Sequence, residues 1–321
     1  MRAAIYTTTG EARQVLRVEE VDRPEPGPGE VRVRVSLSGV NPTDVKTRAG
    51  LTPRSIDGFQ VPHQDGAGTI DAVGPGVPAG RVGERVWLWM AAVGKWGTAA
   101  EWCVVPSEQA VRLPDGAADG LGACLGVPAM TAHRCLFADG PLDGAAVLVA
   151  GGAGAVGHFA IQLARRAGAR VATTVSSPEK AELAAAAGAD LVVNYREPDA
   201  LSRLRDFAPV VDRIVEVNLE ANLDLDLGLA GPSTVVVTYA ATPQDPQLPV
   251  RRCMSANVTL RFVLLCGVPR ADLLRAADDV TAAVAAGDLT ELPLTLFPLR
   301  DVVGAQEAVE SGRVGKVVVE P

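Results

Sequence analysis

The stretch "AAVLVAGGAGAVGHFAIQLARRAGARVATTV" (145–175) constrains this chain more than any other part of it. It reads as an apolar strand, a glycine turn, a helix and a second apolar strand, which together make one βαβ unit. Gly152, Gly154 and Gly157 form G-x-G-x-x-G at the turn. The tight turn, a close approach of backbone to pyrophosphate, and the packing of helix on strand each call for a glycine. The helix opens near Ala155 and Val156, and it directs free N–H groups and the positive end of its dipole at the same place. It sets Val156, Ala160, Leu163 and Ala167 on one face, with Gln162, Arg165 and Arg166 elsewhere, and Gly168 is a suitable stop. Among 33 glycines the pattern alone is weak. Its position inside a βαβ unit of the right length points to a dinucleotide.

A bare ribose 2′-hydroxyl is usually gripped by an acid at the end of the second strand. Here "RVATTVSSPEK" (170–180) has none at that point. Ser177-Pro178-Glu179 is a good helix start, with serine as N-cap and proline at the first helical position. Ser176 and Ser177 also offer hydroxyls, Lys180 a cation, and the helix end a partial positive charge. Tyr195, past the next strand, adds a phenol. This set suits a 2′-phosphate, so the expected cofactor is NADPH.

The rest of the chain divides by texture. Before residue 121, "VRVRVSLSGV" alternates as a half-buried strand should, and "GTIDAVGPGV", "GERVWLW" and "AAEWCVVP" are further short strands between Gly and Pro turns. Many short strands at this spacing predict a small irregular barrel. From 121 to about 267, Val/Ile strands alternate with helices, which predicts a parallel sheet covered on both faces. A long Ala-rich helix (271–287), "LPLTLFPL", a helix at 301–310 and "GKVVVEP" return to the first texture. The reading is an α/β chain in which 1–121 and 268–321 form one domain and 122–267 an inserted one.

Composition narrows the function. The net charge of −8 argues against nucleic acid or an anionic membrane as partner. No apolar run reaches the length of a bilayer span, and "MRAAIYTTTG" has no apolar signal core, so a cytoplasmic location is expected. Cys103, Cys124, Cys135, Cys253 and Cys266 are scattered and form no Cys-x-x-Cys pair, so they read as buried free thiols.

With these residues placed, the chain resembles the medium-chain dehydrogenase/reductase superfamily, and within it the zinc-free, zeta-crystallin-like quinone oxidoreductases. The matching stretches are "GVNPTDVKTRAG", "DGAGTIDAVGPGV", "LGVPAMTAHRCLF", "VLVAGGAGAVGHFAIQLAR", "GADLVVNYRE" and "GRVGKVVV", in family order from end to end. The resemblance implies a GroES-like β-barrel catalytic domain with an inserted Rossmann domain, usually in a homodimer. A zinc alcohol dehydrogenase of this superfamily has cysteine where Asn41 stands and Gly-His-Glu before "GAG". This chain reads His63-Gln64-Asp65, and no metal is expected.

The resemblance also assigns residues. Asn41, Asp44 and Lys46 belong to the substrate cleft near the nicotinamide. Lys46 stands where the family usually has tyrosine, and Leu51-Thr52 where it often has another. Lys46 is read as a donor to a developing oxyanion, as a cofactor contact, or as a solvated lysine, and Asp44 as a cleft residue or a helix cap. Thr131 is expected at the nicotinamide ribose or amide. Asn218, Thr238, Tyr239 and Ala240 lie at strand ends that face a cofactor in an open α/β sheet. Phe262, Val263 and Leu264 are placed near the nicotinamide or at the dimer edge. Lys316 is either a cofactor contact or a solvated strand end. The implied reaction is hydride transfer from NADPH to a small molecule, a quinone or an α,β-unsaturated carbonyl, without zinc. The alternatives are an enoyl or ketone reductase of a biosynthetic pathway and a non-enzymatic NADPH-binding protein.

Overall fold

The computed structural model describes residues 1–242 and 244–321. The chain divides into two units, Met1–Val127 with Glu291–Pro321, and Pro128–Thr290.

The first unit begins with β1 (Arg2–Ile5), a short helix α1 (Ala12–Val15) and β2 (Arg17–Glu20), which pairs antiparallel with β1. Then come β3 (Glu30–Gly39), α2 (Pro42–Ala49), β4 (Asp65–Val73), β5 (Arg85–Leu88), β6 (Trp102–Pro106), β7 (Ala110–Arg112) and α3 (Asp119–Cys124). Ten residues long, β3 is the hub of the sheet. One of its edges carries β4, and the other carries β6 along Glu30–Arg34. The strict alternation read from the sequence breaks twice, at register shifts beside Arg32 and between Val35 and Leu37. Such bulges bend and twist a strand, as a curled sheet requires. Arg32 is therefore buried, and its charge is met by Asp71 at 2.9 Å and Glu25 at 2.7 Å.

The second unit runs α4 (Met130–Phe137), β8 (Ala146–Ala150), α5 (Ala155–Arg166), β9 (Arg170–Val175), α6 (Pro178–Ala186), β10 (Leu191–Asn194), α7 (Ala200–Phe207) and β11 (Arg213–Glu216). It continues with α8 (Leu219–Leu229), β12 (Val235–Thr238), α9 (Val250–Ala256), β13 (Thr259–Phe262) and α10 (Arg270–Ala285). Six parallel strands lie in the order β10-β9-β8-β11-β12-β13. The order reverses between β8 and β11, so the connections diverge there and leave a crevice at the carboxyl ends.

Two expectations change. The stretch "LGACLGVPAMTAHRCLF" (121–137), apolar at helical spacing in the sequence, is interrupted at Leu125–Ala129 by a wide π turn containing Pro128, which cannot supply a helical N–H. And α5 is not one-sided, because residues 157–164 are all buried, Gln162 included. Gln162 accepts from Thr290 N at 2.7 Å, and His158 Nε2 meets Thr290 O at 2.8 Å. These bonds, with the buried stripe Leu273, Ala276, Ala277, Val280 and Val284 on α10, extend the second unit to Thr290, where the sequence reading closed it at 267. At its start, α3 stays with the first unit. A Cβ on Gly122 would come within 2.9 Å of the Ala67 side chain, so the contact needs the glycine.

The chain returns to the first unit with β14 (Leu294–Pro298), α11 (Val302–Glu310) and β15 (Lys316–Glu320). β14 and β15 pair in parallel, and β15 pairs antiparallel with β3 at Ser38–Gly39, beyond the reach of β6. The sheet order is β14-β15-β3-β4-β5-β7. Among the described residues no helix is long and apolar enough to cross a membrane.

Gly157 is the tightest test of the turn after β8. A Cβ there would lie 2.4 Å from Gly151 O and 2.9 Å from the Gly152 Cα, both backbone atoms that cannot swing away. Gly157→Ala is expected to cost about 1–3 kcal/mol or more, the range for overpacking, and to lower the midpoint of thermal unfolding.

Candidate active site

Two groups of side chains are positioned by this fold. The first lies in the first unit. The loop from β3 into α2 places Asn41 at the helix N-terminus, where it is 2% exposed. Its backbone N–H donates to Asp44 Oδ2 at 2.8 Å, and Asp44 Oδ1 accepts from Gln64 N at 3.0 Å. Asp44 thus caps α2 and ties it to the segment before β4. Burial, then the charge of Asp65, raises the Asp44 carboxyl to about 7, against the Asn41 N–H, Lys316 and the Gln64 N–H.

The Asn41 amide bridges two charges. Nδ2 donates to Asp65 Oδ2 at 2.7 Å, and Oδ1 accepts from Lys316 Nζ at 2.6 Å. Lys316 Nζ is itself 3.8 Å from Asp65 Oδ2, and Asp65 Oδ1 accepts from Val127 N at 2.7 Å. Both reach full or nearly full burial, so Lys316 is no solvated strand end. Burial pushes the Asp65 carboxyl up, while Lys316, Asn41 and Val127 pull it down. Lys46 sits half-buried on α2.

His63 completes this cluster. It is fully buried, in the left-handed region at φ 77°. Gln306 Nε2 lies 3.2 Å from His63 Nε2, and Ser38 Oγ lies 2.9 Å from Nδ1. With the amide donating to Nε2, the ring proton is on Nδ1 and is donated to Ser38. Ser38 Oγ contacts Thr98 Oγ1 at 2.7 Å, which donates to Asp65 O at 2.5 Å. Arg48 Nε donates to Gln306 Oε1 at 3.0 Å and fixes that amide's orientation. Burial, then the Lys316 charge, lowers His63 to about 3, so the ring is neutral.

The second group lines the carboxyl ends of the parallel strands. Gly152, Gly154 and Gly157 form the turn after β8. Gly154 is the N-cap of α5 with no side-chain cap, which leaves the N–H groups near Ala155 and Val156 without a local partner. After β9, Ser177 caps α6 by accepting from Lys180 N at 3.4 Å, and Lys180 Nζ donates to Ser176 Oγ at 3.2 Å. After β10, Tyr195 is 47% exposed. Arg196 lies with its guanidinium 5.8 Å from the Tyr195 ring centre and donates to Ser176 O at 3.3 Å. After β11, Asn218 caps α8. After β12, Thr238 Oγ1 donates to Ala240 O at 3.3 Å, and burial, then Cys135 and Glu216, pushes the Tyr239 phenol up. After β13, Val263 is buried, whereas Phe262 and Leu264 are exposed. Thr131 is buried on α4.

The structure therefore brings Asn41, Asp44 and Lys316 together in one cluster, and Ser176, Ser177, Lys180 and Tyr195 in another. Sequence reasoning missed Arg196, although it directly follows Tyr195. It also missed Asp65 and the network of Ser38, Thr98, Gln306 and Arg48, which join positions up to 258 residues apart.

Comparison with known proteins agrees with this architecture. Residues 27–115 match the alcohol dehydrogenase GroES-like domain, and residues 155–282 match the zinc-binding dehydrogenase family. The quinone oxidoreductase of Rattus norvegicus is 29% identical over 312 residues, covering 95% of this chain and 94% of that one. A mycobacterial protein solved in complex with NADPH is 31% identical, with a TM-score of 0.87 over 100% of both chains. The chain belongs to the medium-chain dehydrogenase/reductase superfamily. An NAD-dependent alcohol dehydrogenase of known structure, 25% identical over 100% of both chains, has a TM-score of 0.90. The fold is the GroES-like and Rossmann pair of that superfamily, and its general role is oxidoreduction.

One family name implies zinc. The donor set here does not fit a catalytic zinc. Both ring nitrogens of His63 have protein partners, and Asp65 is engaged by Asn41, Val127 and Lys316. Among the described residues no three His, Cys, Asp or Glu side chains are grouped to hold a metal.

Removing Lys316 tests the buried cluster. Lys316→Met leaves the Asp65 carboxylate buried without its cation, and should cost roughly 3–5 kcal/mol in urea unfolding.

Proposed function

We propose that this protein is an NADPH-dependent, zinc-independent reductase of quinones or α,β-unsaturated carbonyls. The single observation that carries the cofactor choice is the corner past β9 and β10. There Ser176, Lys180 and Arg196 are held to one another, and no acid occupies the strand end. Two cations and a hydroxyl are the donors a phosphate monoester needs, whereas a ribose hydroxyl calls for an acceptor. The turn at Gly152–Gly157 and the uncapped start of α5 would hold the pyrophosphate.

Bound there, the cofactor supplies a hydride. The chain's own part is to position the acceptor, exclude water and stabilise the charge that develops on the acceptor oxygen. Lys46 is the proposed donor to that oxygen, and solvent the proposed source of the proton. Asp44 and Asn41 act in this reading by fixing α2, which carries Lys46. The family's tyrosines are replaced by Lys46 and by Leu51, which is 75% exposed. Their loss removes stacking surface and favours a simple enone over a flat quinone.

The exposed Phe262 and Leu264 beside β13, the edge strand of its sheet, support a homodimer through that edge. A cytoplasmic location accords with the free thiols; Cys103, Cys124 and Cys135 are buried, whereas Cys253 is half-buried and Cys266 exposed, against the expectation that all five are buried.

Binding titrations of NADPH and NADH check the cofactor. NADPH should bind more tightly, and Lys180→Ala or Arg196→Ala should each erode the difference by about 1–3 kcal/mol. Equal affinity for the two nucleotides would sink the reading. Turnover of a simple enone with NADPH should also be unchanged by a strong zinc chelator, and loss of activity on chelation would restore a metal to the mechanism.

A further inference from the structure

Glu216 closes β11, and Asp226 lies two turns into α8. Both are 0% exposed. Glu216 Oε1 accepts from the backbone N–H of Asn218 and from Asn222 Nδ2, the latter at 2.9 Å. Glu216 Oε2 and both oxygens of Asp226 have no donor. The two carboxyls instead reach each other.

Among the described residues the surroundings offer no neutralising cation. On α4, which packs against β11, His133 meets Asp279 and Arg134 pairs with Asp272. On α8, Glu220 and Asp224 are exposed. On α7, Arg203 pairs with Glu197, Arg205 donates to Gly228 O, and Asp206 is exposed. On α9, Arg252 pairs with Asp224, and Arg251 and Cys253 complete its titratable groups. On β11, Arg213 donates to the Cys135 and Leu136 carbonyls. β8 and β12 carry no titratable side chain, and Tyr239, just past β12, offers its N–H to Glu216 O. Two ionised carboxylates in such a place would be three orphan acceptors and two like charges.

We propose that Glu216 and Asp226 share one proton in the folded protein, and that the shared proton locks α8 to the turn after β11. Asp226 donates it to Glu216 Oε2, which leaves Oε1 to hold the N–H of Asn218. Asp226 is thus a positioning residue acting through Glu216 on the turn where the sheet order reverses. Nothing in this pairing requires the nucleotide reading above.

The sign of the pH dependence follows. Burial, then the Glu216 charge, raises Asp226 to about 9, and burial raises Glu216 as well. The unfolded chain loses both protons near their ordinary values of 3.8 and 4.5. Between about 5 and about 9 this pair therefore holds one proton more in the folded state than in the unfolded state. The stability it contributes falls as pH rises through that window, by about tenfold per unit in the folding constant.

Urea unfolding of the full chain at pH 5 to 9 tests this. Asp226→Asn keeps the donor without the ionisation. Its stability should lose one proton's worth of slope relative to wild type, so that its advantage grows with pH and at pH 8 is about a thousandfold over its value at pH 5. Parallel curves for the two proteins would overturn the proposal. Glu216→Gln removes the Glu216 charge but leaves Asp226 buried and protonated, so it should lose less of the slope than Asp226→Asn, and an equal or larger loss would count against the proposal. Infrared titration of the wild type needs no variant. It should show a protonated carboxylic acid persisting above the range of Asp44 and vanishing near pH 9, and its absence at pH 8 refutes the shared proton.

Discussion

The first unit rests on a buried ion pair with an amide between its partners. Lys316 and Asp65 are too far apart, at 3.8 Å, for a short hydrogen bond, and Asn41 bridges them with both ends of its side chain. A buried charge pair offsets its desolvation only when the remaining lone pairs and protons are satisfied, and Asn41 and Val127 do that here. The three residues come from β15, the start of α2 and the start of β4. The positions of Asp44, Lys46 and His63 depend on those three segments being pinned together.

The second unit depends on geometry more than on charge. Parallel strands put each connecting turn at the same end, and the reversal between β8 and β11 parts the turns there. Glycines and backbone line the turn after β8, polar side chains line the turns after β9 and β10, and Phe262 and Leu264 stand exposed at the far edge by β13. Ser176, Lys180 and Arg196 meet although they come from different turns, because β9 and β10 are neighbours.

Local features were legible in the sequence. The βαβ unit, the N-cap at Ser177, the Val/Ile strands and the chain's division into terminal and inserted parts are written in spacing and punctuation, which act over a few residues. Asp44 could be read two ways, and its geometry gives it the capping role. What stayed hidden depends on distant partners. The sequence leaves Lys316 between a cofactor contact and a solvated strand end, and says nothing of Arg32, because it does not show that Asp65 and Asp71 lie beside them in the sheet. Gln162 read as outward on α5 because helical periodicity is blind to Thr290. Asp226 sits in an apolar stretch of α8 and read as nothing at all, since its meaning comes only from Glu216.

The split architecture has a consequence for biosynthesis. Residues 128–290 are contiguous, so that unit can fold as soon as it leaves the ribosome. The other unit waits for β15, which covers the second edge of β3 at Ser38–Gly39, opposite β4, and brings Lys316 to Asp65. Until β15 has been translated, an unpaired strand edge and an uncompensated acid stand open on the nascent polypeptide.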